Sequence, residues 1–194
     1  MTPSIDESWI RIEAWLAEHA PVTFAGLEPP AAPAAIAAAE AAVGLPFPDA
    51  LRQSLLRHNG TGYQVLLPDL WQLMDVQDIP RVWAMRTKIH EAHSEATDGD
   101  PEGEYGPWWH RQYIPFAADG LGGELVLDQR PSALRGRVGC AYKDSDCVFS
   151  RELLWGSLPT LLAATATALE TGDPIDSYRR TVTGEGELDW EVLP

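Results

Sequence analysis

A chain of 194 residues, 45% of them hydrophobic, suits one folded domain with a sizeable core. Its 29 acidic residues against 14 basic ones leave a formal charge of −15, which disfavours nucleic acid or an anionic membrane as a partner and favours a basic protein. No charge-free apolar run approaches a bilayer span, and Asp6 and Glu7 replace the basic start of a secretory signal, so the expected location is the cytoplasm.

Ser4-Ile5-Asp6-Glu7 has the form of a capping box, and Ile5, Trp9, Ile12 and Leu16 follow at helical spacing. They predict a helix over 4–19, ended by Pro21, with Trp9 in the core. After a proline- and alanine-rich stretch, Ala34 to Val43 predicts a second helix with Gly44 as its stop. Pro48 to His58 predicts a third, with Leu51, Leu55 and Leu56 as its buried stripe and Asn59-Gly60 after it. Tyr63 to Leu67 and Leu70 to Leu73 read as short strands around Pro68-Asp69. Asp78-Ile79-Pro80 opens a further helix, with Val82, Trp83, Met85 or Arg86, and Ile89 near one face.

Residues 94–107 form an acidic insert with five acids and no base. Trp108 to Phe116 then reads as a strand, followed by the turn Asp119-Gly120-Leu121-Gly122-Gly123 and a strand ending at Asp128. Arg137 to Tyr142 and Cys147 to Phe149 predict a hairpin across Lys143-Asp144-Ser145-Asp146. Whether it brings Cys140 and Cys147 close enough to bridge depends on its register. Ser157 caps a last helix that Gly172 stops. In the acidic tail, 184–194, Leu188, Trp190 and Val192 alternate, which permits one edge strand. There is no internal repeat and no linker, so residues 1–194 read as a single domain.

Several residues invite a chemical reading. Asp98, Asp100, Glu102 and Glu104, with Gly103 between the last two, mimic the start of a calcium loop, but Trp109 stands where a bidentate Glu belongs. His90 and His93 are three apart, not the four of a zinc motif. Asp119 and Asp128 flank one hairpin strand and could be imagined as a catalytic pair, although Asp before Gly is common in turns. There is no Gly-x-Ser-x-Gly, phosphate loop or dinucleotide fingerprint, so no catalytic residue, metal or cofactor is assigned. The strongest surface candidates are the acids Glu95, Asp98, Asp100, Glu102 and Glu104 with Trp108 and Trp109. On a strand the two rings point to opposite faces; either one is core and the other stands beside the acids, where aromatics act as binding anchors, or both cover the sheet.

The order of these features resembles the SMI1/KNR4 family of the SUKH superfamily over residues 9–170. Trp9, Ile12 and Glu13 resemble its opening helix, and Val43-Gly44-Leu45-Pro46 its helix stop. His58-Asn59-Gly60 is similar to the triplet that leads into its first strand. Ile114-Pro115-Phe116 with Asp119-Gly120, Gly122-Gly123 and Asp128 resembles its central strand pair, and Leu153 to Glu170 its closing helix. The resemblance implies an α+β domain with a mixed β-sheet packed by helices, and a non-enzymatic, protein-binding role. In bacteria such domains are associated with immunity proteins that neutralise toxins, often nucleases, which would make the partner here a basic toxin domain. In fungi a relative serves cell-wall synthesis and signalling as a scaffold, the alternative expectation.

Overall fold

The computed structural model describes residues 3–93, 98–149 and 156–193. Glu95, and the expected start of the closing helix at Leu153, lie outside them. Helix α1, Ile5–His19, starts with the expected capping box: Ser4 Oγ accepts from Glu7 N, and the Glu7 carboxylate accepts from Ser4 N. Pro21 does more than end it. It stands at the first position of a short helix α2, Pro21–Ala25, where a missing N–H costs nothing. Helix α3, Pro33–Val43, stops at Gly44 in the left-handed region, and α4 covers Asp49–Arg57. Leu56 is exposed rather than part of the α4 stripe; Leu51, Ser54 and Leu55 face inward, and Ser54 accepts the indole N–H of the fully buried Trp9 at 3.1 Å.

Only Gln72–Leu73 of the expected strand pair joins the sheet, as β1. Leu66 N and Leu67 N both donate to Trp71 O, so the chain closes into a tight turn at Pro68-Asp69-Leu70. Helix α5, Asp78–His93, follows; Arg86 turns inward and Met85 outward, while Ile89 is partly exposed. Then come β2 (Tyr105–Gly106), β3 (Tyr113–Ala118), β4 (Glu124–Asp128), β5 (Val138–Ala141) and β6 (Cys147–Val148). Strand β3 starts five residues later than the sequence suggests, because His110 closes a turn: its carbonyl accepts from Tyr113 N and its Nδ1 from Gln112 N. Helix α6, Leu158–Thr171, has the expected Ser157 cap and Gly172 stop. The tail folds back as a hairpin of β7 (Tyr178–Val182) and β8 (Leu188–Val192), rather than adding one edge strand.

The fold is α+β, with the six-stranded sheet in the order β1-β3-β4-β5-β6-β2. Every pairing among the described residues is antiparallel, which corrects the expectation of a mixed sheet. The run from β3 to β6 contains no crossover helix, and short connections join neighbouring strands only antiparallel. One face packs Ile114, Phe116, Leu125, Leu127, Val138 and Cys140 into the main core with the helices. The other face carries a smaller cluster of Trp109, Tyr113, Val126, Ala141, Cys147 and Phe149. The two free, buried cysteines therefore lie on opposite faces of the sheet, and this register does not bridge them.

His58-Asn59-Gly60 ties these layers together. The His58 ring nitrogens face Glu28 O at 2.9 Å and the Glu13 carboxylate at 2.8 Å, and Asn59 Oδ1 accepts from Val76 N at 2.9 Å. Gly60 sits at φ 87°, where an added Cβ would lie 2.8 Å from Leu73 O. No helix among the described residues is long and apolar enough to cross a membrane.

Candidate binding surface: an acidic loop over a buried arginine pair

Asp128 closes β4 and is almost completely buried. Its carboxylate accepts from Arg130 Nη2 at 2.8 Å, Arg130 Nε at 3.0 Å and Arg137 Nε at 3.3 Å. Both arginines are themselves buried, and each has a hand left over. Arg130 Nη1 donates to Asp98 O and Arg137 Nη1 to Gly103 O, both at 2.8 Å. The guanidinium of Arg137 lies 3.9 Å from the centre of the Phe149 ring, and that of Arg130 lies 5.2 Å from that of Tyr113. Phe149 N in turn donates to Glu104 O at 2.7 Å, next to the β2–β6 pairing.

From Asp98 on, the acidic loop is thus bolted through its carbonyls, which leaves the carboxylates of its described residues outside. Asp98, Asp100, Glu102 and Glu104 are all exposed, the Asp98 side chain to 97%. Asp100 Oδ1 accepts from Glu102 N at 2.9 Å, a local turn bond. Asp98 also approaches His110 at 3.4 Å over a hollow of about 400 Å3. Burial is the main influence on His110 and holds its pKa below the usual value. Among the described residues, no three histidine, cysteine, aspartate or glutamate side chains converge on a metal-sized site.

The two tryptophans part company here, though not by strand alternation, because neither stands on a strand. Trp109 is 0% exposed; its indole donates to Thr87 Oγ1 at 3.0 Å and its ring meets Tyr113 edge-on. It belongs to the smaller core and offers no surface. Trp108 is half-buried: it stacks on His90, lies under the Arg86 guanidinium at 4.9 Å and donates to Lys143 O at 2.9 Å. Arg86 also donates to Gly122 O at 2.7 Å and pairs with buried Glu124, whose pKa burial raises despite that partner.

The outward aromatic among the acids is Tyr105 on β2, 67% exposed, which the sequence reading passed over. Its signal was an aromatic side chain between Glu104 and Gly106, inside an acidic run. Asp119 and Asp128, imagined as a catalytic pair from the sequence, are not brought together. They stand at opposite ends of β4's hairpin, Asp119 Oδ1 holding Leu121 N and Gly123 N and Asp128 holding the arginines.

The model of the SMI1/KNR4 family (SUKH-1) matches residues 30–164, more than half of the chain. The chain belongs to the SMI1/KNR4 family. The match runs from α3 into α6 and takes in the His58-Asn59-Gly60 bracket, the acidic loop and the Asp128 cluster; Trp9, Ile12 and Glu13 precede it. The chain is also similar to the cell wall biosynthesis/cell cycle regulator smi1 of Schizosaccharomyces pombe, 23% identical over 216 residues. That alignment covers 100% of this chain and 42% of the relative, so the chain spans less than half of that protein's length. The SMI1/KNR4 motif residues described above mostly serve the fold: a helix stop at Gly44, a bracket at 58–60, a turn held by Asp119.

Proposed function

We propose that this chain is a non-enzymatic protein-binding domain whose acidic loop meets a basic partner, and that the partner is a toxin, such as a nuclease, which it neutralises in the cytoplasm. The observation that supports this reading is the orientation of the loop. Buried Arg130 and Arg137 grip its carbonyls, so four carboxylates and Tyr105 are held outward, and none of the four pairs with an arginine among the described residues. A nuclease grips phosphate with lysines and arginines, and a fixed acidic surface competes for those groups and speeds encounter. Co-expression with toxins encoded beside this chain tests it: rescue of growth and direct binding are expected. Failure to bind or rescue against every adjacent candidate would remove the toxin reading.

A second reading is a regulatory scaffold for cell-wall or signalling proteins, favoured by the name of the Schizosaccharomyces pombe relative. It expects capture of housekeeping wall or signalling proteins from native cells and altered wall-stress sensitivity on deletion. A single toxin as partner and a silent deletion would exclude it.

A further inference from the structure

At the sheet edge opposite the acidic loop, β1 borders a cleft of about 280 Å3. Its floor is apolar, with Leu73, Met74 and Ala118, and its rim carries Glu28, Asp75 and Asp78, with no lysine, arginine or histidine in the lining. Asp78 is shared with Arg81 at 2.8 Å. Asp75, which lines the cleft, uses Oδ1 to accept from Gln77 N and Asp78 N, both at 2.7 Å. The Glu28 carboxylate has no hydrogen-bond or ion-pair partner among the described residues.

Tyr63 walls one side and is 94% exposed. Its loop is nevertheless anchored. The neighbouring Thr61 is fully buried, and its hydroxyl donates to Gln64 O at 2.8 Å and accepts from Leu73 N at 3.0 Å. Tyr63 thus presents a large aromatic ring that its own fold leaves almost uncovered, beside the cleft and on a firmly tied backbone.

We propose that this cleft is a second protein-binding site, which receives an arginine side chain projected by a basic protein partner. The apolar floor matches the methylene stem, the acidic rim the charged head, and the Tyr63 ring the flat face of a guanidinium. Arginine is favoured over lysine because its planar fork can reach two carboxylates while stacking on the ring. The site does not depend on the acidic loop, which lies beside β2 at the other edge of the sheet.

Titrating the isotope-labelled full chain with N-acetyl-arginine amide, followed by backbone amide NMR, tests the proposal. Saturable shifts are expected at Gly62, Tyr63, Gln72 and Met74. N-acetyl-norleucine amide, which keeps the stem and lacks the charge, should shift them far less. Tyr63→Ala and Glu28→Gln, both at exposed positions, should each weaken the arginine probe roughly threefold or more. Neutralising the loop acids should leave this response unchanged, so failure here and failure of the loop reading are separable. Shifts spread evenly over the acidic surface, an equal response to norleucine, or unchanged affinity in both variants would overturn it.

Discussion

Asp128 is one carboxylate between two buried guanidiniums, and that asymmetry sets what its loss would do. Asp128→Asn keeps the shape but leaves both arginine charges without a counter-ion, a loss of about 3–5 kcal/mol by urea unfolding for a buried pair broken on one side. Hydrogen exchange across residues 98–106 should quicken in the same variant, because the arginines it orients hold Asp98 O and Gly103 O. Trp109 and Trp108 should behave differently from each other. Trp109→Ala empties a fully buried site and should cost about 3–5 kcal/mol whether or not a partner is present, whereas Trp108→Ala removes a half-buried ring and should cost less. Melting both variants checks the order.

Between elements, α1 and α4 are joined by Glu13, which accepts from Arg57 Nε at 2.6 Å and Nη2 at 2.7 Å and faces His58. The Arg57 hydrogen bonds hold the Glu13 carboxyl below the usual carboxylate range. A depressed folded pKa gives stability that is complete above the unfolded value, about 4.3, and is lost as pH falls through the folded value. Glu13→Gln should therefore cost about 1 kcal/mol at pH 7, the scale of a partly exposed bidentate pair, and its melting curve should converge with that of the parent chain in acid. Elements such as α1 and α6 were legible in the sequence because cap, apolar period and stop lie within one short segment: Ser4 to His19, and Ser157 to Gly172. The loop's attachment was not, since Arg130 reaches Asp98, and Arg137 reaches Gly103, across more than thirty residues of chain. Strand β7 was hidden for a related reason: Tyr178 to Val182 is only half-buried and gains its meaning from β8, with Arg179 opposite Glu191. The acids of the candidate surface were legible as composition, but their outward direction is set by the buried arginines.

At the scale of the whole molecule, the net charge of −15 is not spread evenly, and the loop should carry a disproportionate share of any attraction. Replacing Glu95, Asp98, Asp100, Glu102 and Glu104 by neutral residues should lower the association rate with a basic partner by roughly tenfold at low salt and flatten its salt dependence. Thermal stability should hardly change, because exposed charges contribute little to it. Stopped-flow association at several ionic strengths reads the first effect and a melt the second. The two cores of the sheet can also be timed separately, because each holds one cysteine. Burial pushes the Cys140 thiol up to about 12 and raises Cys147 well above its ordinary value, so neither reacts appreciably while its core is closed. Alkylation then counts openings, and peptide mass spectrometry assigns each to a face. Cys147 sits under the loop in the smaller cluster and should label first, with Asp128→Asn widening the gap. Equal rates would mean that the sheet parts from both its coverings in one cooperative event, so that anything gripping the acidic loop would also be holding the helices in place.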